Sequence, residues 1–152
     1  MATSGAEPRV VPVPQSQNAT EGQLSPDAKW VASVSNESGR AEVFVQSFPD
    51  GGMRTQVSTA GGTQVRWSAD GKEIFYLAPD GKLMAVSIAF GVPSPNVQLP
   101  KGLFNTYLAT GTNVIGNKPQ YAVSRDGRFL LNTAIESASS PIVISVNWMD
   151  KQ

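Results

Sequence analysis

Ser68-Ala69-Asp70-Gly71-Lys72-Glu73-Ile74 decides the fold, because its pattern occurs three times in the chain. The other copies are Ser25-Pro26-Asp27-Ala28-Lys29-Trp30-Val31 and Ser124-Arg125-Asp126-Gly127-Arg128-Phe129-Leu130. The shared pattern is Ser-x-Asp-Gly-basic-x-apolar, aligned without gaps, with Ala28 in place of glycine in the first copy. Its physics is that of a β-hairpin turn. The aspartate accepts backbone N–H groups just ahead of it, and glycine supplies a left-handed residue at low steric cost. Asp70, Gly71, Asp126, Gly127 and Asp27 are therefore structural turn residues. Ala28 must take a strained φ or a different turn.

The flanks of each turn have the composition of strands, rich in Val, Ile, Leu and aromatics and bounded by Gly, Pro, Asn and Ser. Before the turns lie Glu21–Leu24, Thr63–Trp67 and Gln120–Val123. After them come Trp30–Ser35, Glu73–Ala78 and Phe129–Thr133, then Glu42–Phe48, Lys82–Ile88 and Ile142–Trp148. Thr55–Thr59 and Val97–Phe104 are fourth runs in the first two units. No stretch sustains helical periodicity with caps, so the chain is expected to be all-β. The repeat serines are 43 and then 56 residues apart, and about 40–45 residues is the length of one four-stranded propeller blade. The expected organisation is three blades, at about 20–60, 61–105 and 118–149, after a disordered lead at 1–8. The third unit lacks a fourth strand, which Arg9–Val13 would supply from the other end of this chain or of a partner.

Composition bounds the function. The 152 residues carry 12 basic and 12 acidic side chains, no histidine and no cysteine. Zero net charge gives no global field for nucleic acid or anionic lipid. Without histidine and cysteine there is no Ser-His-Asp or Cys-His device, no zinc-thiolate site and no disulfide. No apolar run approaches the roughly 20 residues of a membrane helix, and Met1–Val10 lacks a signal peptide's apolar centre. The motifs of catalysis are also missing: no Gly-x-Ser-x-Gly elbow, no Ser-x-x-Lys and no Asp-x-Asp-x-Asp-Gly calcium loop. Gly111, Gly116 and Lys118 imitate a phosphate loop, but Pro119 stands where Ser or Thr belongs and a strand follows. No cofactor and no metal are expected.

The chain resembles TolB-type, WD40-like bacterial β-propellers, and in particular the propeller portion downstream of some bacterial serine/threonine protein kinases. The resemblance is carried by Gln23-Leu24-Ser25-Pro26-Asp27, Trp30-Val31-Ala32, Ser35–Arg40, Glu42–Gln46, Phe48-Pro49, Val57–Gly62, Phe75–Val86 and Asn147-Trp148. It implies half of a six-bladed ring and a role in protein binding or small-ligand sensing in bacterial signalling. It implies an extracytoplasmic location and, with no kinase catalytic half present, no phosphoryl transfer.

Three blades would leave two apolar blade faces open to water, and such patches mark interfaces. Two copies would give six blades. The expected partner is therefore a second copy, forming a homodimer by pairing a strand with Val10, Val11 and Val13 onto one with Ile142, Ile144 and Val146. The missing blades of a longer chain are the other source. Innermost strands line a propeller's channel, and alignment places Glu21, Gln64 and Gln120 in equivalent positions, with Gln23, Arg66 and Ala122 two residues on. Alternation would put both sets on one face. Glu21, Gln23, Gln64, Arg66 and Gln120 are thus candidates for a peptide or small polar ligand; the plainer alternatives are a wet channel and an ion pair between Glu21 and Arg66. Asn105–Lys118, the least repeat-like stretch, is either a binding loop or a cover for a blade edge. Trp30, Trp67, Phe75, Phe129 and Trp148 are expected to pack between blades. The function expected is a non-catalytic interaction module; the alternatives are a truncated fragment of a larger signalling protein and a propeller hydrolase using Glu21.

Overall fold

The structure is a computed structural model that describes residues 19–52, 54–91, 94–108 and 118–133, and the backbone of 143–145. The described chain is all-β and antiparallel. The first sheet is a meander of β1 (Ala19–Leu24), β2 (Trp30–Ser35), β3 (Glu42–Ser47) and β4 (Arg54–Gln56). The second holds β5 (Thr63–Trp67), β6 (Glu73–Leu77) and β7 (Lys82–Ala89), with β8 (Asn96–Val97) and β9 (Lys101–Asn105) both paired to β7. The third holds β10 (Tyr121–Val123), β11 (Phe129–Leu131) and β12 (Val143–Ser145). The strand run expected at Val97–Phe104 is divided: Gln98 N–H still bonds Ser87, but Pro100 has no N–H to give to the ladder.

Side-chain alternation makes the sheets stack. On β6, Ile74 and Tyr76 face the first sheet, where they join Ala32, Val34, Val43, Val45 and Val57 in one apolar cluster. Phe75 and Leu77 face the other way and pack with Tyr121, Phe129 and Leu131. A sheet covered on both faces explains why Ile74–Leu77 is continuously apolar. Each fully buried aliphatic or aromatic side chain here contributes roughly 1.5–3 kcal/mol, so these two seams dominate the stability of the stack. Successive antiparallel meanders stacked face to face fit a propeller-like fold.

The three turns confirm the hairpin reading. Ser25, Ser68 and Ser124 donate their hydroxyls to Asp27, Asp70 and Asp126, and each serine carbonyl accepts the N–H of Ala28, Gly71 or Gly127. Ala28 keeps the glycine conformation, at φ 54°, beside 70° and 79° at Gly71 and Gly127. The gap-free alignment, however, fails after the third turn. Ser25 and Ser68 N–H groups bond the carbonyls of Trp30 and Glu73, five residues on, whereas Ser124 bonds that of Arg128, four residues on. Arg128 N–H also reaches Ser124 Oγ at 2.9 Å, which closes the turn one residue early. Val123 consequently pairs with Phe129, where Leu24 pairs with Val31 and Trp67 with Ile74. Phe129 therefore takes the place of Ile74, and Leu130 that of Phe75.

The expected assembly residues Val10, Val11, Val13, Ile142 and Val146 lie outside the described residues, as do the side chain of Ile144, Trp148 and most of Asn105–Lys118. Of the ring-closing strand pair, only the backbone at 143–145 is described, where it pairs with β11.

Candidate functional site

The candidate site is the inner end of the stack, where β5 lies beside β1 and β10. Glu21 and Gln64 have left-handed backbones, φ 56° and 55°, at positions where the ladder with the next strand shifts register. The alternation expected through Glu21–Gln23 and Gln64–Arg66 is interrupted there by a bulge, which re-aims the side chain. The Glu21 carboxylate accepts the backbone N–H of Gln64, 43 residues away. Gln64 Oε1 accepts the N–H of Gln120, a further 56 residues on, at 2.7 Å and buried. The spacings are those of the repeat, so a polar side chain of each of the first two sheets caps a backbone donor of the next.

Gln120, at the end of this series, turns inward on its own sheet. Its Oε1 accepts Asn132 Nδ2 at 3.1 Å and its Nε2 donates to Lys118 O at 3.3 Å. Gln23 takes part through its backbone, its carbonyl accepting Trp67 Nε1 at 3.0 Å across the first seam. Arg66 is not joined to Glu21; it donates to Val65 O and lies 5.7 Å from the Tyr121 ring centre. Burial pushes the Tyr121 phenol far above its ordinary range, Arg66 opposing the shift and Glu21 adding to it. The Tyr121 hydroxyl and Gln64 Nε2 are buried without a hydrogen-bond partner among the described residues.

Two features were not anticipated. The first is Glu42, fully buried, which accepts Arg40 Nε at 2.6 Å, the Ser58 hydroxyl and the Gly61 N–H at 3.0 Å. Its position at the head of the apolar run Val43-Phe44-Val45, two residues from an arginine, was the available signal. The second is a groove of about 910 Å³ at the turn end of the first seam, floored by Ile88, Ala89 and Phe90 and walled by Asp27, Asp70 and Lys72. Phe90 stacks on Trp30 at 4.5 Å between ring centres and meets Trp67 at 6.0 Å, which puts both tryptophans in packing, as expected. Phe75 and Phe129 pack edge to face across the second seam at 5.0 Å. At the second seam a smaller pocket of about 250 Å³ includes Glu73, whose carboxyl is raised first by burial and then by Asp70, against the opposing pull of Lys101. Among the described residues no three His, Cys, Asp or Glu side chains are grouped to hold a metal ion.

No family model matches the chain, and no curated protein matches it by sequence. Solved structures similar to it include an oligogalacturonate lyase from Vibrio parahaemolyticus, 13% identical over 78% of this chain and 32% of that one, at a TM-score of 0.49. A protein named as a 6-phosphogluconolactonase from Bacteroides uniformis is 14% identical over 88% of this chain and 40% of that one, at 0.48. TolB from Acinetobacter baumannii is 18% identical over 84% and 41%, at 0.39. This chain thus spans well under half the length of each. At likenesses of this strength none of their activities passes to it.

Proposed function

We propose that this chain is a non-catalytic interaction module of the β-propeller type, whose sheets stack into a six-bladed ring with those of a second copy. The observation that carries the reading is the Glu21–Gln64–Gln120 series. Glu21 and Gln64, two of the polar side chains that could have served a reactive centre, are instead engaged in holding one sheet on the next, in a register that repeats from the first seam to the second. The groove over Phe90 is the place where such a ring would take a peptide or small polar ligand in a signalling role.

Light scattering after size exclusion, across a dilution series, tests the assembly. The expected mass is twice the 16.1 kDa of one chain, persisting on dilution; a mass of one chain throughout would overturn it. The non-catalytic part is tested by Glu21→Gln, which keeps an acceptor for the Gln64 N–H. Hydrolysis of glycoside or lactone substrates that is present in the parent and lost in this variant would overturn it.

A further inference from the structure

Each internal seam joins two kinds of face. The face turned toward the following sheet presents Ala32 in the first sheet and Phe75 in the second, 0% and 3% exposed. The observed pairing puts Leu130 in that same position in the third sheet, yet Leu130 is 42% exposed. The face turned toward the preceding sheet presents Trp67 in the second sheet, packed on the first-seam cluster, and Val123 in the third, packed on the second-seam cluster. Leu24 holds the equivalent position in the first sheet and is 52% exposed. Among the described residues, one end of the stack therefore shows an apolar residue lacking its follower, and the other end one lacking its predecessor.

We propose that Leu130 of one copy packs against Leu24 of a second copy, so that the third sheet receives the first sheet of its partner as a continuation of the internal seams. This rests on the ring-assembly reading above. A hollow of about 280 Å³ around Leu130, bounded by Ala122, Arg128 and Phe129, receives the incoming side chain. The contact is confined to the inner edge. Further out on the first sheet, Phe44 is already covered by the Arg54 guanidinium, 4.1 Å from its ring centre, which Glu37 holds at 2.8 Å. A head face and a tail face on one chain are satisfied together when two copies meet with two-fold symmetry, each giving its third sheet to the other's first.

The chain has no cysteine, so engineered thiols report the contact directly. Leu24→Cys and Leu130→Cys chains are purified separately, mixed under mild oxidation and run on a non-reducing gel, beside light scattering of the parent. Leu99→Cys, at a position 91% exposed on the second sheet's outer edge, is the control partner for each. The expected result is a disulfide-linked dimer that is at least tenfold more abundant in the Leu24→Cys plus Leu130→Cys mixture than in either chain alone or with the control. A parent of two-chain mass without that preference would overturn this contact and leave the assembly reading standing. A parent of one-chain mass at every concentration would overturn both.

Discussion

Gln64 Oε1 accepts the backbone N–H of Gln120 at 2.7 Å, one repeat after Glu21 does the same for Gln64. The bond spans 56 residues and is buried, so it joins sheets that share no strand pairing. Its net worth, about 1 kcal/mol, is small beside the apolar seam. What it adds is register: an apolar face tolerates sliding, whereas a single buried donor does not.

Gln64→Ala should therefore destabilise the fold by about 1–3 kcal/mol, the cost of leaving the Gln120 N–H buried and unpaired. Gln64→Glu, compared at an acidic pH where the buried carboxyl is protonated and uncharged, retains the acceptor and should lose less. Urea unfolding of the three proteins compares them directly, and equal losses for both variants would remove the capping role.

Ala28 at φ 54° occupies a turn position where its two counterparts are glycines. A left-handed alanine costs roughly 1–2 kcal/mol, partly offset by the greater freedom of glycine in the unfolded chain. Ala28→Gly is expected to raise stability by several tenths of a kcal/mol to about 1 kcal/mol. An unchanged or lower thermal midpoint would count against strain at this residue.

The Arg40–Glu42 pair is asymmetric, with side chains 58% and 0% exposed. Arg40→Ala should cost about 1 kcal/mol or less, as for a half-solvated pair. Glu42→Ala would strand the Gly61 N–H and the Ser58 hydroxyl as well, and about 3 kcal/mol is expected. Comparable losses from the two substitutions, measured by denaturant titration, would contradict this order.

Burial, followed by the nearby Glu42, pushes the Tyr76 phenol up to about 12 from its ordinary value near 10. Below pH 10 the phenol is neutral in folded and unfolded chains alike, and its contribution is complete. Above pH 10 the unfolded chain ionises first, so stability is lost as pH rises toward 12. Tyr121 is shifted in the same direction by burial. Unfolding midpoints between pH 8 and 11.5 should fall with pH, and less steeply in Tyr76→Phe.

Much of the fold was legible because it is written in local chemistry: Asp-Gly turns and strand runs bounded by breakers. The expected Trp30–Ser35 and Thr63–Trp67 are the observed β2 and β5 to the residue. Leu130 was misaligned because one fewer residue in a turn leaves no mark on composition while reversing every face beyond it. The site residues Glu21, Gln64 and Gln120 were found through equivalent repeat positions. Their bonds across the seams were not, since strict alternation hides a bulge whose left-handed residues are Glu and Gln rather than glycine.

The described aromatic residues packed at the two seams differ in kind: Trp30, Trp67, Tyr76 and Phe90 lie at the first, while Phe75, Phe104, Tyr121 and Phe129 gather at the second. Indole emission from Trp30 and Trp67 will follow separation of the first and second sheets. In a Trp148→Phe chain the indoles left are those two, and the opening of the first junction can be watched without attaching a dye.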